Sequence, residues 1–239
     1  METIVQGFNN AFQLIIGLNP EFLGIIFLSL QVSGLALLLA TLLGLPLGAL
    51  LALKRFPLRG LFLSLLNTGM GLPPVVVGLL LYLILSRSGP LGFLELLYTP
   101  GAMIIAQTVL ALPIVASLSH AAIVGVDPVI RLAAQTLGAT PRQEALAVVR
   151  EARYGIGAAA IAAFGRVSAE VGAVLMVGGN IANYTRVMTT TIALETDKGN
   201  FDLGIALGII LLALSLLVNV VLRAVQRWGR AQFGVCLWD

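Results

Sequence analysis

Charged side chains are scarce in this sequence. Only 10% of its 239 residues are Asp, Glu, Lys or Arg, and 59% are hydrophobic, whereas soluble domains carry roughly a quarter charged residues. So few polar groups cannot cover the surface of a water-soluble globule. The composition therefore excludes a soluble protein and predicts a chain that is solvated by lipid.

Cysteine and histidine are nearly absent, which narrows the possible chemistry. A single cysteine, Cys236, excludes an intrachain disulfide. The single histidine, His120, has no Cys or carboxylate cluster beside it, so we predict no metal site. Walker, HExxH and GxSxG motifs are missing as well, so we predict no catalytic residue and no cofactor in this chain. The net charge of +3 comes from basic residues that flank apolar segments, so we predict no nucleic-acid partner.

Long apolar segments are abundant. Crossing a bilayer as a helix takes about 20 apolar residues, and we predict an all-α integral membrane protein with one transmembrane domain over residues 1–239. The first span is longer than a bilayer needs, and Gly44 and Pro46 in its second half predict that it bends, tilts or protrudes from the membrane. Residues 3–18 carry apolar side chains on one helical face and predict an N-terminal interfacial helix, with a frayed tail as the alternative. The five predicted spans are residues 22–53, 61–85, 102–124, 156–178 and 203–222.

The loops between the spans differ in their basic residues. Ten Lys or Arg residues lie in the loops on one side, and three lie on the other. Because loops rich in Lys and Arg stay in the cytoplasm, we predict an outside N-terminus and a cytoplasmic C-terminus. The charged loop over residues 125–155 is then cytoplasmic.

A double proline interrupts the predicted second span. Pro73 and Pro74 lack the N–H groups that a helix needs. Non-helical backbone is tolerated in a membrane where it is buried in protein or lines a cavity, and broken helices mark translocation paths. We therefore predict that Pro73 and Pro74 line a path or gate, with a static kink as the alternative. Pro113 is a weaker signal of the same kind in the third span.

Two ionisable residues lie inside the predicted fourth span. Arg166 and Glu170 are four positions apart and share one helical face. Ionisable groups in hydrocarbon are costly, so they usually face a bundle interior or a watery path. We predict that both belong to the path or gate. A salt bridge that only fixes packing remains the alternative.

The loop over residues 125–155, which we call the knob, has its own helix signals. Asp127-Pro128 is typical of a helix start, and Thr140-Pro141 of a second one. Gly138 lies between them, where a glycine ends or bends a helix. The pattern predicts two short helices that form a compact body for a protein partner, with packing on its own bundle as the alternative.

The knob resembles a known motif. Ala133-Ala134-x-x-x-Gly138, followed by a charged second helix, is similar to the EAA loop of bacterial and archaeal ABC importer permeases. Leu132 stands where that family usually has Glu, and Val148-Val149-Arg150-Glu151 replaces its I-x-L-P exit. The resemblance implies that the knob forms coupling helices that enter a cleft on each ATPase subunit. The implied coupling residues are Ala133, Ala134, Gly138, Ala139, Pro141 and Arg142.

Other segments narrow the resemblance, which covers residues 22–223. Residues 45–48, 71–78 and 164–174 are similar to molybdate-type permeases, and residues 177–181 and 185–190 to the tungstate branch of that family. This implies a permease homodimer with its path at the two-fold axis. It also implies two ATPase subunits that hold ATP and Mg, and an extracytoplasmic oxyanion-binding protein, in a bacterial or archaeal cytoplasmic membrane.

The substrate and the energy source each have alternatives. Tungstate is the implied substrate, with molybdate, sulfate or phosphate as the alternatives. A different class of transporter would be a proton-coupled carrier that uses Glu170. A membrane enzyme is a third class, but no nucleophile–base pair or metal-ligand set supports it.

Overall fold

The computed structural model describes residues 20–54 and 56–232, and all of their regular structure is helical. This confirms the all-α class. The predicted interfacial helix over residues 3–18 and Cys236 lie outside the described residues. In chain order the helices are α1 Pro20–Leu53, α2 Arg59–Met70, α3 Pro74–Leu85, a 3₁₀ turn Gly92–Leu94, α4 Pro100–Val124, α5 Pro128–Thr136, α6 Pro141–Glu151, α7 Arg153–Ser168, α8 Gly172–Gly178, α9 Met188–Asp197 and α10 Phe201–Gln232.

Three helices are long and apolar enough to cross a membrane unaided, namely α1, α4 and α10. The two remaining predicted spans are both broken. Helices α2 and α3 differ in direction by 103°, and α7 and α8 by 60°. By length and composition, the described residues therefore offer three candidate membrane crossings, or up to five if each bent pair forms one crossing.

The prolines act differently in different spans. The break at Pro73-Pro74 agrees with the prediction, since α2 ends at Met70 and α3 begins at Pro74. In contrast, α1 continues through Pro46 and α4 through Pro113 as single helices. Neighbouring residues in a packed bundle can hold a helix together around a lone proline.

Helix α4 is the centre of the bundle. Of its most apolar stretch, 61% is buried, against 28% for α1 and 17% for α10. Two glycines of α1 let it approach α4 closely: a methyl group at Gly44 would lie 3.1 Å from Val115 Cβ, and one at Gly48 would clash with the carbonyl oxygen of Ala116. The small residues thus fix the distance between the two helices.

We expect Gly48→Ala to destabilise the protein by about 1–3 kcal/mol, because the added methyl group overpacks a backbone contact. Gly34→Ala is the matched control on the same helix, since a methyl group there meets nothing within 4 Å. The control should gain about 0.5–1 kcal/mol from helix propensity. Unfolding by sodium dodecyl sulfate in detergent micelles measures both free energies. Equal stability of the two variants would contradict the close α1–α4 contact.

Candidate functional site

The break between α2 and α3 follows from backbone chemistry. Gly71 caps the end of α2, and Pro73 has an extended backbone with φ −64° and ψ 123°. Since Pro73 and Pro74 donate no hydrogen bond, the helical ladder cannot cross them. The ladder restarts when the N–H groups of Val76 and Val77 donate to the carbonyl oxygen of Pro73.

The break between α7 and α8 contains no proline, and side chains hold it open. The backbone N–H of Glu170 donates to Val167 O at 3.1 Å, a short 3₁₀-like bond. The Glu170 carbonyl oxygen accepts from Thr189 Oγ1 at 2.9 Å, and its carboxylate Oε1 accepts from the N–H of Ala173 at 3.1 Å. Glu170 therefore does not continue α7 but caps α8, because its polar groups bond outside the helical ladder.

The two breaks lie against each other. A methyl group at Gly172 would come within 2.9 Å of Val75 Cγ2, and one at Gly78 within 2.9 Å of Ala173 Cα. The first turns of α3 and α8 are therefore in direct contact. We call this region, residues 71–75 and 169–173, the paired breaks. Irregular backbone at membrane depth needs this kind of protein cover.

Arg166 and Glu170 pair across the end of α7. Arg166 Nη1 lies 3.0 Å from Glu170 Oε2, with exposed side-chain fractions of 35% for Arg166 and 3% for Glu170. The predicted pair is present, although the helix ends between its members. Both carboxylate oxygens are engaged, one by Arg166 and the other by Ala173. The accessible charge of this pair is therefore the guanidinium group of Arg166, beside the paired breaks.

A buried amide of α4 supports the same region. Gln107 donates from Nε2 to Val167 O at 3.3 Å, just before the break of the fourth span. Its Oε1 is buried with no partner in the part of the chain that the structure describes. Ser29, Ser33, Ser168 and Thr189 line a small cavity together with Gln107. The sequence signal that could have found Gln107 is its position as a lone amide in an apolar helix.

The knob has the two predicted helices and the predicted caps. Asp127 Oδ1 accepts from the N–H of Val129 at 2.8 Å, and Pro128 is the first residue of α5. Thr140 forms a capping box with Gln143 at the start of α6. Between the helices Gly138 has φ +77°, a conformation that favours glycine. These local predictions are confirmed.

A carboxylate whose pairing the sequence did not predict joins the two helices of the knob. Glu144 Oε1 lies 3.0 Å from Arg131 Nε, and its Oε2 accepts from Gln135 Nε2 at 3.0 Å. One acidic residue of α6 therefore holds two side chains of α5. These two contacts join α5 and α6, so the knob is one body rather than two independent helices.

The two helices of the knob differ in burial. Val148 and Ala152, at the end of α6, are buried in a cluster with Ile123 of α4. Helix α5 has no buried residue, and Leu137 after it is 87% exposed. The knob therefore packs against the bundle through the end of α6, and α5 is left exposed to solvent. Four of the six implied coupling residues are exposed, and Ala134 and Ala139 are half-buried.

The chain has known relatives. The family described as "Binding-protein-dependent transport system inner membrane component" matches residues 44–230. A probable anion ABC transporter permease protein of Haloferax volcanii is 52% identical over 198 residues, which are 81% of this chain and 85% of that protein. The tungstate uptake system permease protein TupB of Peptoclostridium acidaminophilum is 40% identical over 226 residues, which are 95% of this chain and 99% of that protein.

The fold has solved counterparts too. An inward-facing structure of the MetNI methionine ABC transporter superposes with a TM-score of 0.70. The superposition covers 87% of this chain and 95% of that chain at 20% sequence identity. At that identity the likeness shows the fold alone.

Proposed function

The chain belongs to the family of binding-protein-dependent transport system inner membrane components, and we propose that it is the permease subunit of an ABC importer that carries tungstate. The likeness to a tungstate uptake permease over 95% of the chain carries this proposal. The exposed knob supports it, because a subunit without an ATP-binding motif needs a surface through which a partner can drive it.

We propose that the paired breaks line the translocation path. Pro73 and Pro74 open one helix there, and Glu170 opens the other. Arg166 supplies an accessible positive charge, and its pairing with Glu170 reduces the repulsion that a lone carboxylate would exert on an anion. Val75 and Val76 are exposed beside this region, and a second copy of the chain in a homodimer would cover them.

We propose that the knob couples this path to an ATPase. The implied coupling residues lie where a partner cleft can receive them. They are Ala133 and Ala134 on α5, Gly138 and Ala139 between the helices, and Pro141 and Arg142 at the start of α6. ATP and Mg would bind the partner, on the cytoplasmic side. ATP can shift an equilibrium between two permease states only if the ATPase binds them unequally. Because Glu144 joins α5 to α6, the knob can follow such a shift as one body.

Reconstitution tests the function. Proteoliposomes that contain this chain, its ATPase and its oxyanion-binding protein should take up tungstate only when ATP is present. Excess sulfate or molybdate should reduce tungstate uptake only as far as it competes for the binding protein. Radioactive or mass-spectrometric assay of trapped tungsten measures the uptake.

Two results would overturn the proposal. Uptake that follows an imposed pH gradient without the ATPase would favour the proton-coupled carrier. Absence of tungstate uptake from a reconstituted complex that hydrolyses ATP would exclude tungstate as the substrate.

A further inference from the structure

The loop between α8 and α9, residues 179–187, is tightly wound. The N–H groups of Tyr184, Thr185 and Arg186 all donate to the carbonyl oxygen of Ile181. Thr185 is fully buried, accepts from the N–H of Ile181 and donates to Gly178 O. These bonds hold the backbone of the loop, including the backbone N–H of Arg186.

Arg186 is the basic residue of this loop. Its Nε is buried without a hydrogen bond, and no ion pair to its guanidinium occurs in residues 20–54 and 56–232. The side chain as a whole is half-buried, and an N–H group that is shielded from water costs free energy unless it donates to an acceptor. The position of Arg186 therefore favours the binding of an anion.

Glu195 of α9 does not meet that need. Its carboxylate accepts hydrogen bonds from Lys198 Nζ and Asn200 Nδ2, each at 2.8 Å. The bond from Lys198, then the bond from Asn200, hold the pKa of Glu195 below its ordinary value, and the positive field of Arg186 adds to this. Glu195 thus stays ionised, but its oxygens are already engaged by residues other than Arg186.

A cavity opens beside Arg186. Asn183 and Tyr184 line it from the same loop, and the first turns of α1 close its other side with Phe27 and Gln31. Asn183, Tyr184 and Gln31 are exposed, so the cavity opens to the outside of the molecule. A guanidinium group, two amides and a phenol hydroxyl form a donor set suited to oxygen-rich anions.

We propose that this cavity binds a tetrahedral oxyanion group through Arg186, with Asn183, Tyr184 and Gln31 as supporting donors. The inference rests on the proposed function for the identity of the transported anion, which would stop here before it reaches the paired breaks. The same donors suit the phosphate of a lipid headgroup, which is also a tetrahedral oxyanion. Lipid would lie near the cavity, because α1 is long and apolar enough to cross a membrane. The test therefore separates the free anion from the lipid.

Equilibrium dialysis of sodium tungstate against the purified full-length chain, free of added lipid and without partners, gives the first arm. Arg186→Gln should weaken binding by about tenfold or more, the loss expected for a charge-assisted hydrogen bond. Arg87→Gln is the matched control, since Arg87 is an exposed cation after α3. It should change the affinity by less than about twofold, because solvent screens an exposed charge.

Thermal unfolding separates binding from a purely structural role. Tungstate should raise the Tm of the wild type and of Arg87→Gln, but not that of Arg186→Gln. Without tungstate, Arg186→Gln should melt within a few degrees of the wild-type Tm, because this half-buried side chain makes no hydrogen bond or ion pair with the described residues. Arg186→Lys, which keeps the charge but loses the guanidinium fork, should retain part of the binding, and it decides the question if Arg186→Gln does not fold.

Native mass spectrometry with phosphatidylglycerol gives the second arm. Lipid retained by the wild type and lost in Arg186→Gln, with no tungstate binding to either, would assign the site to a headgroup phosphate. Wild-type behaviour of Arg186→Gln in both arms would overturn the inference. Neither arm uses ATP or a partner, so failure of ATP-driven uptake would defeat the proposed function alone.

Discussion

Gly138→Asp is expected to reduce ATP-dependent uptake by at least about tenfold, equivalent to losing about 1.4 kcal/mol of coupling. A side chain at Gly138 would meet nothing within 4 Å in this chain, so the knob has room for it. Aspartate also tolerates a positive φ better than most residues. The new carboxylate would instead stand on the joint next to exposed Leu137, on the surface proposed to enter the ATPase.

Gly199→Asp is the matched control. Gly199 has φ +79° and, like Gly138, no atom within 4 Å of an added methyl group, but it lies in the turn after α9. Co-purification of the ATPase with each variant, together with uptake in proteoliposomes, distinguishes the two positions. Gly138→Asp should lose the ATPase, and Gly199→Asp should keep it. Normal uptake by Gly138→Asp would refute the coupling role of the knob.

Arg166→Gln is expected to lower both stability and uptake. The substitution leaves the Glu170 carboxylate, which is 3% exposed, without its cation. Breaking a fully buried pair costs about 3–5 kcal/mol, and a smaller loss is expected here because Arg166 is 35% exposed. Unfolding in detergent micelles measures the stability, and the reconstituted assay measures uptake.

The double variant Arg166→Gln/Glu170→Gln separates packing from transport. Glutamine at position 170 can still accept from the N–H of Ala173, and no buried charge remains, so most of the lost stability should return. Uptake should stay at least about tenfold below the wild type if the guanidinium stabilises the passing anion, as a charge-assisted bond would. Recovery of uptake along with stability would show that the pair serves packing only.

Features set by local chemistry were predictable from the sequence. Asp127-Pro128, Gly138 and Thr140-Pro141 fix the knob, because caps and a positive φ depend on neighbours in the chain. The break at Pro73-Pro74 follows from missing N–H groups in the same way. The apolar runs predicted that α1, α4 and α10 are helices long enough to cross a bilayer, since bilayer thickness sets the length that a crossing needs.

Features set by distant contacts were not predictable. The break after Ser168 depends on Thr189, which lies in another helix and donates to Glu170 O. The ion pair between Arg131 and Glu144 can form only after α5 and α6 have folded back on each other. The cavity beside Arg186 forms only where the first turns of α1 meet the loop before α9. A sequence pattern carries none of these separations in space.

The central position of α4 has a mechanical consequence. Its last turns hold the knob through Ile123, and its first turns touch the far end of the broken fourth span, where a methyl group at Gly178 would lie 2.9 Å from Met103. A helix of 25 residues is about 37 Å long, so a rigid tilt of about 5° about one end displaces the other by about 3 Å. The two ends of α4 lie at the knob and beside the loop of Arg186, so a rigid rotation of this helix that began at the knob would also move the residues that border that loop.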